Sequence, residues 1–227
     1  PEDDLKKITK EAYDFEIPLE NVFGKVYIMR LDRGQTASFK DFAARMMSRL
    51  MQYYISRDKR RLTILTATSG DTGSAVANAF YGLSNIDVVI LFPLAEVNLI
   101  QRKQMTTLGK NITVIGINGK FDDCQQLVKT AFRDPSLNHL PLSSANSINI
   151  GRLLPQSVYY FYAWSRQRNS IDDQVVFSVP SGNFGNLMGG LISGFQDMVL
   201  VPRSDSEVGE EDRRYQEERR RELEKMK

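Results

Sequence analysis

Four short apolar runs, at residues 62–67, 88–92, 112–117 and 175–179, alternate with longer stretches of helical spacing at 72–81, 98–108, 121–132 and 149–168. Apolar side chains fill successive positions of each run, so both faces of each strand need covering. A strand returns to lie parallel to its neighbour only through a crossover, which is right-handed. The expected fold class is therefore α/β, with three layers in which parallel sheets are flanked by helices. Several helical stretches start beside a good capping residue, Asp71, Asn98 or Asn149, and no internal repeat breaks the order.

Composition removes several classes of function. Thirty basic and 28 acidic residues are interspersed, so no basic face marks a nucleic-acid partner. No apolar run nears the roughly 18 residues that a membrane helix needs. A single cysteine, Cys124, and a single histidine, His139, exclude an intrachain disulfide, a thiolate cluster and an imidazole-rich metal site. No metal is expected, and a reducing, cytoplasmic setting is. The acidic start, Pro1-Glu-Asp-Asp4, lacks the basic and apolar regions of a secretory signal, and Pro1 is no initiator, so upstream sequence is expected. At the other end, residues 205–227 mix acidic and basic side chains with almost nothing apolar. Residues 201–227 read as a charged tail outside the fold, following a break in the α/β rhythm like that of a splice junction.

Four polar turns lie at the starts of helical stretches, and each admits two readings. Lys40 follows Phe39 where a helix begins; desolvation and the positive helix end both disfavour its ammonium form, as a Schiff-base lysine requires, while a plain solvated lysine is the alternative. Ser181-Gly-Asn-Phe-Gly-Asn186 follows a strand and opens a helix; its backbone N–H groups suit a phosphate, or it is an ordinary glycine-rich turn. It lacks the ending of a nucleotide P-loop and the spacing of a dinucleotide fingerprint. In Thr68-Ser-Gly-Asp-Thr-Gly-Ser74, Ser69 and Thr72 can hold a carboxylate, whereas an ionised Asp71 would repel one and more naturally caps the helix that follows. Finally, Ser143 to Arg152 gathers Asn146, Ser147, Asn149 and Arg152 at a helix start, either as an anion site or as a capping box with a surface arginine.

Taken together, Ser38-Phe-Lys-Asp41, Leu65 to Ser74, Ser144 to Ile150 with Arg152, and Val179 to Asn186 resemble the threonine synthase family, in order and in spacing, from about Val26 to about Gly194. The resemblance implies fold type II of the pyridoxal-phosphate enzymes, tryptophan synthase β-like and incomplete here. It implies pyridoxal 5'-phosphate as cofactor, with Lys40 bonded to it and shuttling protons, and Ser181, Gly182, Asn183, Phe184, Gly185 and Asn186 holding its phosphate. Ser69, Asp71 and Thr72 would face the substrate carboxylate and the cofactor ring. Ser147, Asn149 and Arg152 would grip the phosphate of O-phospho-L-homoserine, and Lys103 is a weaker electrostatic candidate.

The implied reaction converts O-phospho-L-homoserine and water to L-threonine and phosphate, by a monomer or homodimer. The implied division is residues 1–67 as the N-terminal part of the large domain, 68–145 as the small domain, 146–200 as the rest of the large domain, and 201–227 as the tail. Family members are longer at both ends, and the group that contacts the pyridine nitrogen belongs to a C-terminal part with no matching motif here. Two alternatives stay open: another fold type II enzyme such as a dehydratase or β-replacement synthase, which needs no second phosphate site, and a non-catalytic product that binds through its charged tail.

Overall fold

The computed structural model describes residues 1–168, 170, 173–180, 184–194 and, by their backbone, 198–201. Its centre is a four-stranded sheet of β3 (Leu62–Ala67), β4 (Ile86–Pro93), β5 (Ile112–Ile117) and β6 (Leu142–Ser143), in the order β5-β4-β3-β6 with every pairing parallel. Helices α3 (Asp71–Phe80), α4 (Leu99–Thr106) and α5 (Phe121–Arg133) connect these strands. One sheet face meets Val76 and Phe80 of α3 and Met105 of α4; the other meets Cys124 and Val128 of α5. Covering both faces explains the near-continuous apolar runs, and Ile64, Val88 and Ile90 are completely buried. This is the three-layer α/β architecture of fold type II.

Helix α2 (Lys40–Asp58) is the spine of the molecule. From Asp41 to Ser48 every residue is buried, because α1 (Glu2–Ala12), α3 and α6 (Ile150–Gln167) pack around its first half. Phe42 stacks on Tyr13 and meets Tyr159 of α6 edge-on, which joins α2 to the cluster that includes Phe177 and Val179 of β7 (Phe177–Pro180). Strand β7 pairs in parallel with β8 (Met198–Val201), and α7 (Gly185–Ile192) lies between them in the chain.

The apolar segment before Lys40 belongs to an antiparallel hairpin of β1 (Leu19–Phe23) and β2 (Val26–Met29). Its side chains are mostly exposed, yet residues 26–31 read as a short apolar strand in the sequence, and β2 takes up the first four of them. Residues 202–227, most of the charged tail, lie outside the described residues. No helix among the described residues is long and apolar enough to cross a membrane.

Candidate active site

The loop entering α2 is built around Asp41. Its buried carboxylate accepts from the Thr36 N–H at 2.8 Å and the Thr36 hydroxyl at 2.6 Å. A side chain at Gly34 would collide with that same carboxylate. Ala37, between Thr36 and Ser38, takes a φ of 54°, a conformation that a residue with a Cβ rarely adopts. The turn is thus fixed by two hydrogen bonds, and it delivers Lys40 at the first position of a buried helix.

Lys40 extends from there to the start of α3. Its Nζ lies 3.3 Å from Asp71 Oδ2 and over the Phe39 ring at 4.7 Å from the centroid. Asp71 does not cap α3, as the sequence suggested: it is the first residue inside the helix, whose N-terminal boundary is Gly70. Thr68 takes over the capping work. Its buried hydroxyl oxygen accepts from the N–H groups of Gly70 at 2.9 Å and Gly73 at 2.8 Å, so the Asp71 side chain is left for Lys40 and for Gln101, whose Nε2 donates to Oδ1 at 2.7 Å. The aspartate charge that the sequence made awkward is met by a cation on one oxygen and an amide on the other. Thr68→Val keeps the shape and removes both acceptor contacts. It is expected to cost about 1–3 kcal/mol, because two N–H groups beside a buried side chain lose their partner, measured as a shift of the urea midpoint at constant slope.

The polar cluster before α6 divides into scaffold and open donor. Asn146 acts as a false strand residue at the end of β3: its Oδ1 accepts from the Ala67 N–H at 3.2 Å and its Nδ2 donates to the Ala67 carbonyl at 2.8 Å. Asn149 caps α6, accepting from the Gly151 N–H at 2.9 Å, and donates to the Ser144 carbonyl at 2.8 Å. Ser147 is half-buried on the same turn. Arg152 is not the surface arginine of the capping alternative; it is 3% exposed. Its Nη1 donates to the Ala145 carbonyl at 2.7 Å, and its buried Nε has no partner among the described residues. Burial pulls the guanidinium down to about 10, against smaller opposing effects of Tyr159 and Asp41.

Of the glycine-rich turn, Ser181, Gly182 and Asn183 lie outside the described residues. Phe184 is the exposed N-terminal boundary of α7, and Gly185 and Asn186 form its first turn. Asn186 is held by two tyrosines that the sequence reading missed: Tyr159 donates to its Oδ1 at 2.6 Å, and Tyr160 donates to the same oxygen at 2.8 Å. Adjacent tyrosines within a helical stretch were the available signal, since a buried phenol needs an acceptor. Ser69 is exposed and Thr72 half-buried at the other junction, and Lys103 sits exposed on α4.

A cavity of about 1240 Å³ brings much of this together. Ser38 and Phe39 beside the lysine, Asp71, Tyr159, Tyr160 and Asn186 all line it. Asp71, the partner of the Lys40 amine, and Asn186, in the first turn of α7, therefore border one space, whereas Lys40 itself, Ser69, Thr72, Ser147, Asn149 and Arg152 are not among its lining residues.

Comparison with known proteins accords with that donor set. The family model for pyridoxal-phosphate dependent enzymes matches residues 16–204. The chain belongs to the pyridoxal-phosphate dependent enzyme family. Its similarity to a threonine synthase from Haemophilus influenzae is 50% identity over 194 residues, covering 85% of this chain and 45% of the relative. Among solved structures, a PLP-bound threonine synthase from Brucella melitensis aligns with a TM-score of 0.80 at 38% identity, over 88% of this chain and 46% of that one. The Escherichia coli threonine synthase aligns with a TM-score of 0.79 at 47% identity, with the same coverage of 88% and 46%. The chain thus spans less than half the length of the family members that it matches here.

Proposed function

We propose that this chain carries the active site of a threonine synthase, which converts O-phospho-L-homoserine and water to L-threonine and phosphate with pyridoxal 5'-phosphate as cofactor. The observation that carries the reading is the presence of two separate anion-seeking features: the first turn of α7 on the cavity that Asp71 also lines, and the buried guanidinium of Arg152, whose Nε has no partner among the described residues. A fold type II enzyme without a phosphorylated substrate has no use for the second. High identity to proteins named threonine synthase supports the same choice.

The residues present fit the cofactor. When bound, pyridoxal phosphate supplies an electron sink for negative charge developing on the substrate. Lys40 holds it through Nζ, and the chain from Ser181 to Asn186, ending in the first turn of α7, receives its phosphate. Freed from that role during turnover, the Lys40 amine carries protons to and from the substrate carbons. Ser69 and Thr72 offer hydroxyls to the substrate carboxylate. Asp71, already neutralised by its two partners, stays near the ring without repelling that carboxylate. Arg152, with Ser147 and Asn149, takes the substrate phosphate and keeps hold of it as it leaves. The proposal includes a cytoplasmic setting and a monomeric or homodimeric state.

The test is simultaneous measurement of inorganic phosphate and L-threonine from O-phospho-L-homoserine by the purified, cofactor-loaded chain. Equimolar appearance of the two supports the reading. Cofactor uptake without either product, but with turnover of an unphosphorylated amino acid, replaces it with a different fold type II activity.

A further inference from the structure

Helix α4 supplies none of the groups used in the proposed function, yet one of its side chains completes the Lys40–Asp71 pair. Gln101 donates from Nε2 to Asp71 Oδ1 at 2.7 Å, on the oxygen opposite the one that Lys40 approaches at 3.3 Å. The glutamine is itself held: its backbone N–H bonds the Asn98 side chain at 2.9 Å, and its carbonyl accepts from the buried Ser74 hydroxyl at 3.2 Å. Its side chain crosses directly over Gly70, where any Cβ would run into the Gln101 carboxamide, and Gly70 has a φ of 135°. The turn that opens α3 is therefore shaped to admit this one amide. Three residues further on, Gln104 Nε2 reaches towards the Thr36 carbonyl at 3.5 Å, so α4 spans both the loop before Lys40 and the helix that carries Asp71.

We infer that Gln101 is a positioning residue that fixes the Asp71 carboxylate as the counter-ion of Lys40. The Asp71 side chain is 45% exposed and has rotamers that face water. A fixed N–H donor on Oδ1 removes that freedom and leaves Oδ2 directed at the amine. The consequence is that Lys40 waits as a paired cation, and its reaction with a carbonyl compound begins by breaking this pair. The inference rests on the reading of Lys40 as the cofactor lysine for its meaning, although not for its measurement.

Competitive reductive methylation of the full chain with limiting formaldehyde and borohydride reads the nucleophilicity of Lys40, with exposed lysines such as Lys6 and Lys129 as internal references. Asp71→Asn is expected to raise labelling of Lys40 about tenfold relative to those references, because the opposite charge that favours the ammonium form is gone. Gln101→Met, which keeps the length and bulk but donates nothing, is expected to raise it severalfold. Because Gln101 acts through Asp71, the double variant should label no faster than Asp71→Asn alone. Gln101→Leu provides the same measurement should the methionine variant lose its native circular dichroism. Full additivity of the two substitutions, or no response to Gln101→Met, overturns the inference. In a separate arm, pyridoxal 5'-phosphate trapped by borohydride is mapped to its lysine. Failure to find it on Lys40 with the methylation cycle intact sinks the proposed function and leaves the positioning role standing.

Discussion

Lys40→Ala is expected to give a folded chain that takes up no cofactor and turns over nothing. After incubation with pyridoxal 5'-phosphate the parent should develop the visible absorbance of a lysine-linked carbonyl adduct, and the variant should stay colourless. The structure makes this a clean deletion. Lys40 begins α2 without contributing to its buried stretch, which starts at Asp41. Its ion pair with Asp71 is partly solvated, and such pairs contribute about 0–1 kcal/mol, so urea unfolding should change by no more than that. Loss of colour and turnover with stability retained is the signature of a reacting group, held where the loop fixed by Asp41 and Thr36 lets the amine emerge. A colourless parent, or a variant that still forms the adduct, would remove Lys40 from the chemistry.

Arg152→Met should separate function from stability in the opposite sense to an ordinary core substitution. A buried guanidinium lowered to about 10 is a group that the folded chain protonates less readily than the unfolded chain does. Its cost to folding is therefore present in full below pH 10 and fades as the pH rises above that towards the ordinary arginine range; at neutral pH the shift corresponds to about 3 kcal/mol. Methionine removes that cost and fills much of the volume, but it strands the Ala145 carbonyl, a loss of about 1–3 kcal/mol. The variant should be as stable as the parent or more stable, by up to about 2 kcal/mol. Affinity for O-phospho-L-homoserine, by contrast, should fall about 100-fold, as when one partner of a buried charge pair is deleted. Calorimetric titration and urea unfolding on one preparation measure both. Marked destabilisation with unchanged affinity would make Arg152 a structural residue and leave the substrate phosphate without its proposed holder.

Burial by secondary structure was readable ahead of the fold. The apolar run at 62–67 coincides with β3, and the helical spacing at 121–132 with α5 but for one residue, since both segments bury a face against the same sheet and that face is written as a period. The run at residues 26–31 also reads as a short apolar strand, and β2 takes up its first four residues, although Val22, Phe23, Val26, Tyr27 and Ile28 of the hairpin are exposed; its partner β1 left no such mark. Strand β6 has two residues, too few for any period.

The site was legible to a different degree. Four junctions could be marked as polar turns from residue types alone, and their order carried the resemblance to a family. What each side chain does there could not. Asp71 is a good capping residue by type, and only the presence of Thr68 three residues earlier, with its hydroxyl closing the turn, released it to face Lys40. Arg152 by type belongs at a surface, and the packing of α6 against α2 put it inside. Gln101 carried no signal whatever, as an amide on a short helix is unremarkable until its partner is known.

Local chemistry thus settled which segments are strands, which are helices and where glycine or a hydroxyl must stand between them, because those preferences act over a few neighbouring residues. The meeting of Lys40, Asp71 and Gln101, each some 30 residues from the next in the chain, was decided only when α2, α3 and α4 packed on one another. Charge compensation, burial of a cation and the direction of an amine are properties of that packing, and no stretch of sequence contains them.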